Sequence, residues 1–204
     1  MSTRQMFHRL LEHPLVYAAS QRLLPFSHRD CRALVEAYIT LPKGAALLDI
    51  GCGVGGHRPL FRDVIYTGID INHDYIARAN QMFGGGFHVM DAGRLEFSDA
   101  SFDAAVSVAM CHHLEDELIR AMVAEAFRVL RPGGALHIID AILPGPEGSS
   151  FKRLVFTNDR GRHQRSHAAM LSLVGSCGRI TALRLRSGVM HDFVYLRVEP
   201  GLTS

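Results

Sequence analysis

The sequence predicts a doubly wound α/β fold: a seven-stranded, mostly parallel sheet with an antiparallel C-terminal hairpin strand. Three observations predict it. Short apolar runs alternate with stretches of helical periodicity over residues 45–140. The runs are apolar almost throughout, as in strands buried on both faces. Near the C-terminus, two β-type runs are joined by too few residues for a helical crossover.

The elements follow in chain order. Val16, Ala19 and Leu23, with Pro14 ahead of them, mark a first helix. Ser27 followed by Asp30 resembles a capping box. Cys31, Leu34, Val35, Tyr38 and Ile39 then share one helical face. Residues 1–44 are expected to form a helical cap on or over the core. Residues 45–50 read as the first buried strand. They run into Gly51, Gly53, Gly55 and Gly56, in the pattern of strand, glycine turn and helix. Residues 64–70 read as the second strand. Residues 73–83 read as a helix ended by Gly84, Gly85 and Gly86. Residues 87–91 and 102–110 read as the third and fourth strands. The apolar positions from Leu118 to Phe127 predict a helix stopped by Pro132, Gly133 and Gly134. Residues 135–140 read as the fifth strand. Residues 180–188 and 192–199 give the hairpin. The whole chain, 1–204, reads as one domain: the cap, a core at 45–142, an insertion at 143–179 and the hairpin at 180–200.

Composition narrows the class. Apolar residues make up 48% and charged residues 21%, which suits a globular chain with a full core. No apolar run is long enough to span a bilayer, and His8, Arg9, Glu12 and His13 interrupt the N-terminal stretch where a signal peptide needs continuity. A cytoplasmic protein is expected. A net charge of +2 gives no strong field for nucleic acid. The four cysteines form no C-x-x-C pair and no zinc spacing. They read as reduced thiols, and no metal is expected.

In open α/β sheets, ligands bind beyond the carboxyl ends of the strands. The predicted strand ends carry Asp49, Asp70, Asp91 and the stretch from Ser107 to His113. Asp70 lies where a carboxylate accepts both hydroxyls of a ribose; an N-cap acid is the other reading. Asp49 stands at the mouth of the glycine turn. There it disfavours a pyrophosphate and favours an ammonium group. Asp91 can accept from an adenine amino group, with the Ala92 N–H and the apolar Ile71 beside the ring, or it can cap the next turn.

These residues closely resemble the class I S-adenosylmethionine-dependent methyltransferases, and within them the small stand-alone enzymes of methyltransferase type 11 or 12. "LLDIGCGVGG", "GIDIN", "VMDAGRLEF", "FDAAVSVAMCHHL" and "RVLRPGGALHIID" occur in that family's order. The resemblance implies a Rossmann-like fold, S-adenosyl-L-methionine as cofactor, and a site formed by Asp49, Gly51, Cys52, Gly53, Gly55, Asp70, Ile71, Asp91, Ala92 and Ser107. It implies in-line methyl transfer to a small-molecule acceptor, without nucleic acid or membrane as partner. Two alternatives stand beside it. One is a non-catalytic cofactor-binding protein of the same fold. The other is an NAD(P)-dependent oxidoreductase, since "GCGVGG" satisfies G-x-G-x-x-G. The acceptor side is thinner. His112 and His113 follow the fourth strand, where a side chain can orient an acceptor or take its proton; they can also simply shape the pocket. Lys152, Arg153, Arg160, Arg162, His163 and Arg165 make the insertion basic. They suit an acidic acceptor or a solvated face.

Overall fold

The computed structural model of the chain describes residues 25–144, 163–188 and 191–201. Among these, the strands are β1 (Ala46–Ile50), β2 (Ile65–Asp70), β3 (Phe87–Val89), β4 (Phe102–Val108), β5 (Leu130–Ile142), β6 (Arg179–Ser187) and β7 (Asp192–Glu199). The helices are α1 (Pro25–Tyr38), α2 (His73–Phe83), α3 (Asp116–Val129) and α4 (His167–Gly175). The strands form one sheet in the order β3-β2-β1-β4-β5-β7-β6. β1 to β5 are parallel, and β7 runs antiparallel between β5 and β6. This is the predicted doubly wound sheet with its reversed C-terminal strand.

Period-two alternation along the strands divides the core between the two faces. Leu48, Ile50, Leu136 and Ile138 pack beneath α3 and α4, with Ile119, Met122, Val123, Met170 and Val174. Leu47, Val106, Phe193 and Tyr195 face the other way, toward Leu34 and Val35 of α1 and Ile76 and Ala79 of α2. α2 begins and ends where the sequence places it. The Asn72 side chain accepts from the Asp74 and Tyr75 amides at 2.9 and 3.1 Å, and Gly84 closes the helix at φ 80°.

Five details depart from expectation. α1 starts at Pro25 rather than at Ser27, since proline is tolerated in a first turn. The glycine turn is followed not by an α-helix but by one 3₁₀ turn, Arg58–Leu60. Gly55, Gly56 and Pro59 disfavour a longer helix. β3 stops at Val89, so Asp91 lies in the loop beyond it. α3 ends at Val129, ahead of Pro132. Residues 131–134 instead bulge out of β5: Leu130 pairs with Phe102, and Ala135 pairs with Ala104. The 143–179 insertion contains α4, whose Met170, Leu173 and Val174 enter the core. The helix expected around Val16–Leu23 lies outside the described residues. So do Lys152, Arg153, Arg160 and Arg162.

Candidate functional site

The chain order reverses between β1 and β4, and the predicted residues gather at the carboxyl ends on both sides of that point. Asp49, on β1, is 1% exposed. Its Oδ2 accepts from the Tyr66 hydroxyl at 2.5 Å. Its Oδ1 is buried with no hydrogen-bond partner among the described residues. Burial pushes the Asp49 carboxyl up to about 7; the nearby Asp70 adds to the rise and the Tyr66 bond opposes it. A buried carboxylate oxygen lacking a donor is costly unless a cation or donor meets it.

The turn after β1 brings bare backbone to this acid. Gly51 sits at φ 76°, and a Cβ there would lie 2.1 Å from Met110 Sδ. Gly55, at φ 77°, is pressed against Phe83 and Phe87 in the same way. No larger residue fits either place without displacement. The Gly51 and Cys52 amides donate to Ile69 O at 2.8 and 2.9 Å, which fastens the turn to β2. Cys52 is buried, and its thiol donates to Gly53 O at 3.6 Å. Asp70 completes the turn. Its Oδ2 accepts from the Gly53 amide at 3.0 Å and its Oδ1 from the Asn72 amide at 2.8 Å. Burial raises its carboxyl, and these bonds hold it down. Each oxygen keeps a second lone pair for a ligand.

Ile71 is 74% exposed beside Asp70, an apolar surface at the strand end. Asp91 accepts from the Gly93 amide at 2.8 Å, the capping bond the sequence allowed. Ala92 is next to it in the same loop. Ser107, on β4, is fully buried near the Cys111 thiol.

The other half of the site lies beyond β4 and β5. A 3₁₀ turn, Cys111–His113, carries the two histidines. His112 is buried, and its ring lies 4.1 Å from that of His113. His112 Nδ1 stands 2.6 Å from Asp140 Oδ1 on β5. His112, Asp140, Ile142, His163, Arg165 and Met170 line a small recess there. Arg165 departs from its expected role. Its guanidinium donates to Asp116, at 2.5 and 2.9 Å, and to Cys111 O, His163 O and Leu114 O. It clamps the histidine turn to the start of α4 and is not presented to an acceptor. Arg165→Ala is expected to cost about 2 kcal/mol of stability, through carbonyls left without a charged donor. Urea unfolding reads the loss; an unchanged midpoint and slope would show that the clamp contributes nothing.

Tyr66 and Asp140 belong to the candidate site but were passed over in the sequence reading, which covered Met110 only as part of the stretch from Ser107 to His113. Asp140 carried the signal used for the other acids, a polar residue at the end of an apolar strand. Among the described residues, no group of three or more His, Cys, Asp or Glu is placed to hold a metal. No described helix is long and apolar enough to cross a membrane.

Residues 48–138 match a family model described as a methyltransferase domain. A 2-methyl-6-phytyl-1,4-hydroquinone methyltransferase from Synechocystis is 40% identical over 108 residues, covering 50% of this chain and 33% of that protein. A tRNA (carboxymethyluridine(34)-5-O)-methyltransferase from Arabidopsis thaliana is 38% identical over 106 residues, covering 51% of this chain and 26% of that protein. The chain thus spans a third or less of the length of these two relatives. Among solved structures, an S-adenosylmethionine-dependent methyltransferase from Methanosarcina mazei superposes with a TM-score of 0.65 at 22% identity, over 79% of this chain and 95% of that one. That likeness is one of fold.

Proposed function

We propose that this chain, whose residues 48–138 match a methyltransferase-domain model, is a class I S-adenosylmethionine-dependent methyltransferase that transfers the methyl group of S-adenosyl-L-methionine to a small-molecule acceptor. One observation carries the reading: the buried Oδ1 of Asp49, without a donor, beside the glycine turn. A sulfonium cofactor brings an α-ammonium to such an oxygen, whereas a dinucleotide brings a pyrophosphate that an acid repels. The remaining assignments follow the strand ends. Asp70 takes the ribose hydroxyls. Ile71, Asp91 and Ala92 border the adenine. The backbone of Gly51, Cys52, Gly53 and Gly55 lies along the methionine part, and Ser107, buried at the end of β4, closes the cofactor side. The cofactor supplies an activated methyl group; the chain aligns the acceptor and keeps water out.

The segments on either side of this core in the chain, of which residues 1–24 and 145–162 lie outside the described residues, are assigned to the acceptor side, with His112 and His113 nearest the reaction. A small-molecule acceptor suits the net charge of +2 and the hydroquinone relative. The tRNA relative shows that the same domain type also serves nucleic acid in another protein. Calorimetric titration tests the reading. Binding of S-adenosylmethionine or S-adenosylhomocysteine is expected, and none of NAD(P). Tight NAD(P) binding without the sulfonium ligand would sink it.

A further inference from the structure

A second polar cleft lies at the opposite end of the parallel strands from the glycine turn. It has a volume of about 290 Å³, and its lining includes Tyr38, Asp103, Ala104, Ala135, His137 and Arg197. Small side chains leave the room. Ala104 and Ala135 are paired neighbours on β4 and β5, and β5 bulges away just before Ala135. His137 stands beside them, where the same face of β5 continues as the apolar Ile139 and Ala141. It is 7% exposed. Its Nδ1 lies 3.0 Å from the Tyr195 hydroxyl, which donates to Tyr38 O at 3.3 Å. A tyrosine hydroxyl has a single proton. With that proton on the carbonyl, the proton between ring and hydroxyl belongs to Nδ1, and Nε2 is an acceptor. Burial, helped by the Arg197 charge, pushes the ring down to about 4, so it is neutral near pH 7. Nε2 makes no hydrogen bond among the described residues and, unlike Asp49 Oδ1, is not sealed from the cleft. A nearly buried acceptor in that condition calls for a donor.

The charge beside it selects an anion. Arg197 is the cross-strand partner of His137 on β7, so one small molecule reaches both side chains. Its Nη1 donates to Thr181 Oγ1 at 3.0 Å and to Glu199. Glu199 is shared with Arg179, so two guanidiniums divide one carboxylate. Arg184 adds a further cation, 5.7 Å over the Tyr38 ring. Asp103, the acid on the lining, is taken by Arg131 and by the Ala46 amide, each at 2.7 Å. We propose that this cleft is a second binding site, for a small carboxylate that also carries a hydroxyl. The hydroxyl donates to His137 Nε2, the carboxylate meets the Arg197 guanidinium, and the two alanines take a flat apolar body between them. The site is separate from the strand ends that hold Asp49 and Asp70, and it stands independently of their reading.

The test uses 3-hydroxybenzoate on the full chain, with benzoate and phenol as controls that each lack one group. Calorimetry is expected to give a Kd of about 0.1–1 mM for 3-hydroxybenzoate. Benzoate and phenol are each expected to bind about tenfold or more weakly, as are His137→Leu and Arg197→Met with the full ligand. Circular dichroism establishes that the variants are folded. A measurement on the wild-type protein stands beside them. With ¹⁵N-histidine labelling, the His137 signals are assigned from their disappearance in His137→Leu or, where that variant is unfolded, in His137→Gln. The ring is expected to be unprotonated at Nε2, and that signal is expected to move as 3-hydroxybenzoate is added. Saturation with S-adenosylhomocysteine is expected to leave the binding unchanged. No binding up to about 10 mM, a ring protonated on Nε2, an unmoved Nε2 signal, or displacement by S-adenosylhomocysteine overturns the proposal. Binding undiminished in both folded variants, or shared equally by the two controls, overturns it as well.

Discussion

Binding of S-adenosylhomocysteine is expected to weaken about tenfold between pH 8 and pH 6 through Asp49 alone. The sign follows from burial. In the ligand-free protein the Asp49 carboxyl keeps its proton up to about pH 7. Its folded-state affinity for a proton is raised above the unfolded one, so this group's contribution to stability is complete below the ordinary carboxylate range. That contribution is lost as the pH climbs to about 7, where an uncompensated charge appears in the interior. A bound ammonium reverses the preference and holds the carboxylate ionised. Below about pH 7, binding must therefore expel a proton, and affinity falls with acid. Tyr66, with Arg58 lying 5.2 Å over its ring, the buried Cys52 thiol and Asp70 face this acid. Asp49→Asn is expected to abolish the Asp49 part of the pH response and to cost about 1.5–3 kcal/mol of affinity at pH 8. Titrations in buffers of different ionisation enthalpy count the proton released. An affinity equal at both pH values, with the Asp49→Asn variant behaving like the wild type, would place the ammonium elsewhere.

Asp70→Ala is expected to lower cofactor affinity by about 2–4 kcal/mol, the loss of two hydrogen bonds to a charged acceptor. Asp70 also ties down the turn, through the Gly53 amide at 3.0 Å and the Asn72 amide at 2.8 Å. Some stability should go with it, while the sheet, whose bonds do not pass through this side chain, stays folded. Circular dichroism establishes the fold and calorimetry the affinity. A folded variant with wild-type affinity would show that the ribose is held by other groups.

The sheet was legible because a strand buried on both faces leaves an unbroken apolar run, and most such runs here meet a glycine, proline or acidic residue at an end. The acids at the strand ends stood out against those runs for the same reason. What stayed hidden depends on neighbours far apart in sequence. Asp49 pairs across the sheet with Gly68, not with Tyr66. Tyr66 reaches it diagonally, because the intervening glycine presents no side chain on that face. No spacing rule along the chain announces such a contact. Asp140 meets His112 only because β5 lies beside β4. Arg165 looked like a surface cation until its carbonyl partners, 51 and 54 positions earlier, came into view. The glycine turn misled in the opposite direction, since the pattern that suggested a helix behind it contains Gly56 and Pro59, which prevent one.

That missing helix has a consequence for how the molecule breathes. The crossover from β1 to β2 is held by successive single turns: Gly55 to Cys52, Arg58 to Gly55, Leu60 to His57 and Phe61 to Arg58. An α-helix opens cooperatively, because each of its residues is secured by overlapping bonds. A string of independent turns can loosen one link at a time while Phe61 stays anchored among Tyr66 and its neighbours. Hydrogen exchange is therefore expected to be faster at the amides of residues 55–61 than in β1 and β2, so that the proposed cofactor site beside this turn can open by the slackening of a few residues while the strands stay paired.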